Sequence, residues 1–178
     1  CSMDVFFALS HGVHRGILKK GKYDDRADFV NNLVEKTPNV KFDLYGINNI
    51  QPIWADSFLK SISNAKMGVN LSRGNPIKYY SSDRITQLIG NGLLTFIDYK
   101  THYNNFFDKN EVIFYNNLSN LSELIQKYAK DDFLRKKIAK KGKHKYMKYF
   151  NSTVVADYII NKTFSLPYKK NKYLWENK

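Results

Sequence analysis

Two short apolar runs, residues 65–71 and 93–97, bracket a single stretch of helix-patterned sequence, and that arrangement leaves the chain few ways to fold. Each run is too short for a core helix and suits a buried strand. Between them, Ser81, Ser82 and Asp83 are residue types that begin helices, and Ile85, Leu88 and Ile89 fall on one helical face. Gly90 and Gly92 then stop the helix. The stretch 73–98 therefore reads as loop, helix and strand following a strand, and the crossover helix makes the two strands parallel. A helix that starts just past the carboxyl end of a parallel strand offers its free N–H groups and its dipole to an anion. Lys78 and Arg84 add positive charge to that corner, and a guanidinium can grip two oxygens at once. The plainer alternative is an ordinary capped helix with a solvated arginine.

The remaining pattern repeats this alternation. Residues 4–9 read as a buried strand, followed by a glycine-punctuated loop (Ser10, His11, Gly12, Val13, His14, Arg15, Gly16) that continues to Lys20-Gly21. A helix over 24–36 turns Phe29, Val30, Leu33 and Val34 inward. A strand over 40–45 ends at Gly46, and a helix over 54–62 is expected to bury Trp54, Phe58, Leu59 and Ile62. After residue 97 come a polar aromatic loop, a short strand over 112–115, and helices over 118–130, 131–149 and 152–164, the last with Val154, Val155, Tyr158 and Ile159 on its apolar side. Residues 165–178 form a tail without a period. Alternating strands and helices with no hairpin signal predict an α/β, Rossmann-like parallel sheet with helices on both faces, a single domain over residues 4–164. No Gly-x-Gly-x-x-Gly follows the first strand, so a dinucleotide cofactor is not expected. Arg15 and Lys20 form a second basic cluster on the edge where such sheets bind ligands, and His11 and His14 can donate hydrogen bonds or carry a proton. A solvated surface loop is the plainer reading of that segment.

The net charge of +13 is concentrated: residues 127–148 hold ten Lys or Arg against two Asp. Lys136, Lys137, Lys140, Lys141, Lys143, Lys145 and Lys148 mostly fall off the apolar stripe, giving either a solvated basic face or a contact with anionic lipid or an acidic partner. No nucleic-acid-binding motif accompanies the charge, so nucleic acid is not the expected partner. The four histidines show no metal-ligand spacing, no Ser-His-Asp arrangement can be placed, and Asp4, Asp43 and Asp98 stand at strand ends without an acid–base partner. The lone Cys1 excludes an internal disulfide and a cysteine zinc site. No apolar run approaches the roughly 20 residues of a membrane span. A cytoplasmic location, with the lysine-rich segment as a peripheral membrane contact, is the expectation. Cys1-Ser2-Met3 running straight into a strand suggests a segment excised from something longer.

Three blocks of residues together resemble the C-terminal, donor-binding domain of a GT-B glycosyltransferase, closest to the bacterial group-one and spore-maturation-protein-B-like proteins. The first is Asn70-Leu71-Ser72-Arg73 followed by Ser81-Ser82-Asp83-Arg84-Ile85-Thr86-Gln87-Leu88-Ile89-Gly90-Asn91-Gly92-Leu93-Leu94. The second is Asn110-Glu111-Val112-Ile113-Phe114-Tyr115 with the helix 121–125, and the third is Ile138-Ala139-Lys140-Lys141-Gly142-Lys143. The resemblance implies a nucleoside-diphosphate sugar as donor substrate, no cofactor and no essential metal. It also implies a glycan or lipid-linked acceptor in bacterial polysaccharide biosynthesis. By position, Arg15 and Lys20 are similar to the family's diphosphate-holding pair, Arg84 resembles the arginine heading its helix, and Tyr45-Gly46 lie near the base. Lys78, Ser81, Ser82 and Asp83 complete the expected donor-binding set, and His14 with Arg15 are the expected catalytic residues. Gln87 stands where many retaining members carry a glutamate, and Tyr79 stands at the position of its partner glutamate; both depart from the family pattern and leave ribose recognition to an amide. A whole enzyme of this kind has a second, N-terminal domain that holds the acceptor, and it is expected to be missing from this chain. The competing reading is a non-catalytic basic α/β module that docks on an anionic membrane, nucleic acid or an acidic partner.

Overall fold

The computed structural model describes residues 1–9, 25–72, 74–80, 82–169 and 172–177. Five strands, β1 (Met3–Ala8), β2 (Phe42–Tyr45), β3 (Ala65–Asn70), β4 (Leu94–Asp98) and β5 (Ile113–Tyr115), form one sheet in the order β2-β1-β3-β4-β5. Every pairing is parallel, as the crossover helices require. The helices are α1 (Asp25–Lys36), α2 (Ala55–Ser63), α3 (Asp83–Gly90), α4 (Leu118–Lys130), α5 (Asp132–Tyr149) and α6 (Ser152–Thr163). The α/β parallel sheet read from the sequence is the architecture found, each described element lying within two residues of its expected bounds.

A sheet buried on both faces needs apolar residues at successive positions, and β1 supplies them: Val5 and Phe7 face one side, Phe6 the other. Val5 and Phe7 join Val30 and Leu33 of α1 and Leu121 and Ile125 of α4 in the larger core. Phe6 packs with Ile62 of α2 and Leu88 of α3 beneath the opposite face. A third cluster, mostly aromatic, joins Ile85 and Ile89 of α3 to Tyr103, Phe106, Phe107 and Tyr146.

Two glycines set how closely layers approach. A Cβ on Gly68 of β3 would lie 2.3 Å from Leu88 Cδ2, so its absence lets α3 sit down on the strand. A Cβ on Gly142 of α5 would lie 2.1 Å from the Glu111 carbonyl oxygen, so this helix rests on the backbone entering β5. Lys145, one turn on, donates to Glu111 Oε2 at 2.7 Å and locks that contact.

Where the outcome differs from the amphipathic reading, the cause is unpartnered surface. Trp54 and Leu59 of the α2 segment are 51% and 56% exposed, whereas Phe58 and Ile62 are the hydrophobic residues of that helix packed against the sheet. Val155 and Ile159 of α6 are also exposed. The segment after α6 turns back on it: Tyr173 is fully buried, donates to Asp157 at 2.6 Å and accepts from Asn161 at 2.6 Å.

Candidate functional site

The strand order fixes where a ligand crevice can form. From β1 the chain moves outward to β2, then crosses back to β3 on the other side, so connections leave β1 and β3 in opposite directions. Crevices in parallel sheets open at the carboxyl ends of strands at such a reversal. Arg84, the second residue of α3, spans this point. Its Nη1 donates to the Leu71 carbonyl just past β3 at 2.7 Å, and its Nη2 to the Ala8 carbonyl ending β1 at 3.4 Å. Its guanidinium carbon lies 5.4 Å from the centroid of the Phe7 ring. The two oxygens it grips are the protein's own, which makes it a brace across the reversal as well as a charge.

A cavity of about 290 Å³ opens beside it, between the start of α2 and the start of α3. Asp83, Arg84 and Gln87 line it from α3, Trp54, Ala55 and Phe58 from the α2 side, and Ala8 and Leu9 close its base. Ser82 occupies the N-cap position in extended backbone, yet its hydroxyl makes no capping hydrogen bond; the Ile85 N–H is met by the Ser82 carbonyl. The Ser82 hydroxyl thus leaves the start of α3 uncapped, with the Asp83 carboxylate in its first turn. A cation, an amide, a carboxylate and an aromatic plate around one cavity can bind a molecule with an anionic part, hydroxyls and a flat ring.

The other expected site residues are distributed unevenly. Gly46, at φ +75, sits so close to the Leu9 carbonyl that a Cβ would lie 2.0 Å from its oxygen, which ties the turn after β2 to the cavity base. Tyr45 turns under α2 instead, its hydroxyl 3.0 Å from Ser61 Oγ and its ring against Phe6. Lys78 is exposed, with its ammonium 4.9 Å from the Tyr79 ring centroid, and does not line the cavity. Tyr79 points elsewhere too: its hydroxyl accepts from Asn105 at 2.6 Å and its ring lines a separate aromatic cavity with Phe106 and Trp175. His11, His14, Arg15, Lys20 and Ser81 lie outside the described residues.

Trp54 was read as core and proves to be cavity wall. The sequence signal that marks it is local: an indole two residues after Pro52, immediately ahead of a helix. Asp4, one of the three strand-end carboxylates, is structural. Burial opposes its ionisation, but the Lys41 N–H at 2.9 Å and the Lys66 ammonium at 2.7 Å outweigh it and hold the carboxyl below its usual range.

A family model described as glycosyl transferase-like matches residues 26–161. Among solved structures, the chain in the crystal structure of TarM aligns with a TM-score of 0.61 at 12% identity, over 89% of this chain and 34% of that one. The fold is shared, and the present chain spans about a third of the length of that relative. No curated protein matches.

Proposed function

The chain belongs to the glycosyl transferase-like family, and we propose that it is the donor-binding half of a GT-B enzyme, holding a nucleoside-diphosphate sugar in the cavity between α2 and α3. The observation that carries this reading is Arg84, placed at the strand reversal on the first turn of α3 and sharing one cavity with Gln87 and Trp54.

The chemistry asked of the site follows from the reaction. An acceptor oxygen, on a glycan or lipid-linked molecule, bonds to the anomeric carbon while the bond from that carbon to the diphosphate oxygen breaks. The acceptor proton passes to a base, and the leaving diphosphate takes the electron pair. Charge that grows on the departing oxygen is stabilised by positive charge beside it, here the Arg84 guanidinium and the start of α3. Trp54 offers a plate for the base, and Gln87 donates to or accepts from ribose hydroxyls. Arg15 and Lys20 are proposed to supply further charge, with His14 assisting proton transfer. In this reading a further domain would hold the acceptor; the chain itself spans about a third of the length of the TarM chain it matches.

Titrating the chain with UDP, GDP, CDP and inorganic pyrophosphate tests the reading. One nucleoside diphosphate is expected to bind in preference, and Arg84→Ala to weaken it by about 1.5–3 kcal/mol, the scale of a hydrogen bond to a charged group. Unchanged affinity in that variant removes Arg84 from the site.

A second reading draws on α5, where Lys136, Lys137, Lys140, Lys141, Lys143 and Lys148 are exposed while Lys145 is turned onto Glu111. This face suits a peripheral contact with an anionic membrane surface. Equal, steeply salt-dependent binding of every anion in the same titration would favour that docking role over a donor site.

A further inference from the structure

We propose that α6, with the aromatic cavity beside it, is a membrane-docking face that inserts apolar side chains into an anionic bilayer. The inference stands apart from the donor site. It also goes beyond the lysine contact of α5, which meets headgroups alone.

A surface helix is expected to turn charged residues to water. α5 does so, with lysines along its exposed side. α6 does not. Its two charged residues are both held by the segment that folds back on it: Asp157 pairs with Lys172 at 2.6 Å, and Lys162 with Glu176 at 2.9 Å. With about 3.6 residues per turn, Ala156, Ile159, Ile160 and Thr163 share the opposite, exposed side, and none of them is charged. Ile159, Ile160 and the Phe164 that follows are 56%, 51% and 70% exposed.

Beside this face lies a cavity of about 480 Å³. Val155 and Ile159 wall it from α6, aromatic rings form most of the remainder, and among the described residues no charged side chain lines it. Charge stands around it instead. The ammonium groups of Lys78, Lys145 and Lys162 lie 4.9, 5.5 and 5.6 Å from the ring centroids of Tyr79, Phe107 and Tyr158, all three of them wall residues. Lys148 precedes α6 and Lys169 follows it, both exposed. An apolar surface bordered by ammonium groups complements a bilayer whose acyl chains are apolar and whose headgroups are anionic. A second copy of the chain suits this face less well, because it would bring two net charges of +13 together.

Cosedimentation of the full chain with vesicles tests this, using phosphatidylcholine alone and an equimolar mixture with phosphatidylglycerol. Binding is expected to the mixed vesicles and not to the neutral ones. Ile160→Ser combined with Phe164→Ser is expected to weaken it about tenfold, the worth of withdrawing apolar side chains from the bilayer. The melting midpoint of that variant should match the parent, since both side chains are exposed. Trp175 lines the cavity, so in a Trp54→Phe background its fluorescence is expected to be quenched by lipids that carry a nitroxide on the acyl chain. Vesicle binding that the double variant retains in full, or that leaves Trp175 unquenched, overturns insertion while keeping the α5 contact. No binding to either vesicle overturns both. A lipid-free dimer that the double variant dissociates assigns the face to a second copy and overturns the proposal as well.

Discussion

Arg84 bonds the strand-end carbonyls of Leu71 and Ala8 while lining the cavity, so its removal touches stability and binding together. Trp54 separates the two. Its indole is half exposed at the start of α2, so Trp54→Ala deletes a wall of the cavity with little effect on the core. We expect it to cost nucleoside diphosphate affinity about 1–3 kcal/mol, the scale of stacking a base on an aromatic ring, and to leave pyrophosphate affinity unchanged. Calorimetry with both ligands checks this; an equal loss for the two would show that the indole does not meet the base. The corner formed by Asp83 and Arg84 was legible as sequence, because helix-start residues and apolar spacing are local signals. The exposure of Trp54 was not, since a helical period says which residues share a face and not how much of that face the sheet can cover.

At the scale of elements, α5 carries two predictions. Gly142 rests on the Glu111 carbonyl, and Gly142→Ala introduces a contact that the backbone must move to relieve. Overpacking of this kind costs about 1–3 kcal/mol, which exceeds the helix-propensity gain of up to about 1 kcal/mol. The variant should therefore melt below the parent, although alanine is the better helix former; a higher midpoint would mean the helix simply shifts. The start of the same helix is acid-sensitive. The Arg135 guanidinium, 2.5 Å away, and then Lys136 hold the Asp132 carboxyl down to about 2 from an ordinary 3.8. Because the folded value is the lower one, this contribution is complete above pH 3.8 and is lost as pH falls toward about 2. Melting midpoints between pH 5 and 2 should fall less steeply in Asp132→Asn than in the parent, and parallel profiles would remove Asp132 from the acid response. Arg135 itself is buried and also donates to the Tyr128 carbonyl, so the pair ties α4 to α5.

For the whole molecule, the strand and helix alternation, the parallel pairing and the helix stop at Gly90 follow from properties each segment carries alone: apolar runs too short for helices, residue types that start helices, and glycine. Tertiary structure decided what depends on distance in space. It gave the guanidinium of Arg84 two carbonyls from β1 and the β3 end as partners, turned Tyr45 to Ser61 and Tyr79 to Asn105, and folded the segment after α6 back to bury Tyr173. It also set Asp98 beside Tyr115 across neighbouring strands, a pair 17 positions apart that no local spacing announces. Propensity and period act over a few residues and are written in the chain. Which polar groups meet at the sheet edge is set by strand order, and strand order is a property of the assembled core.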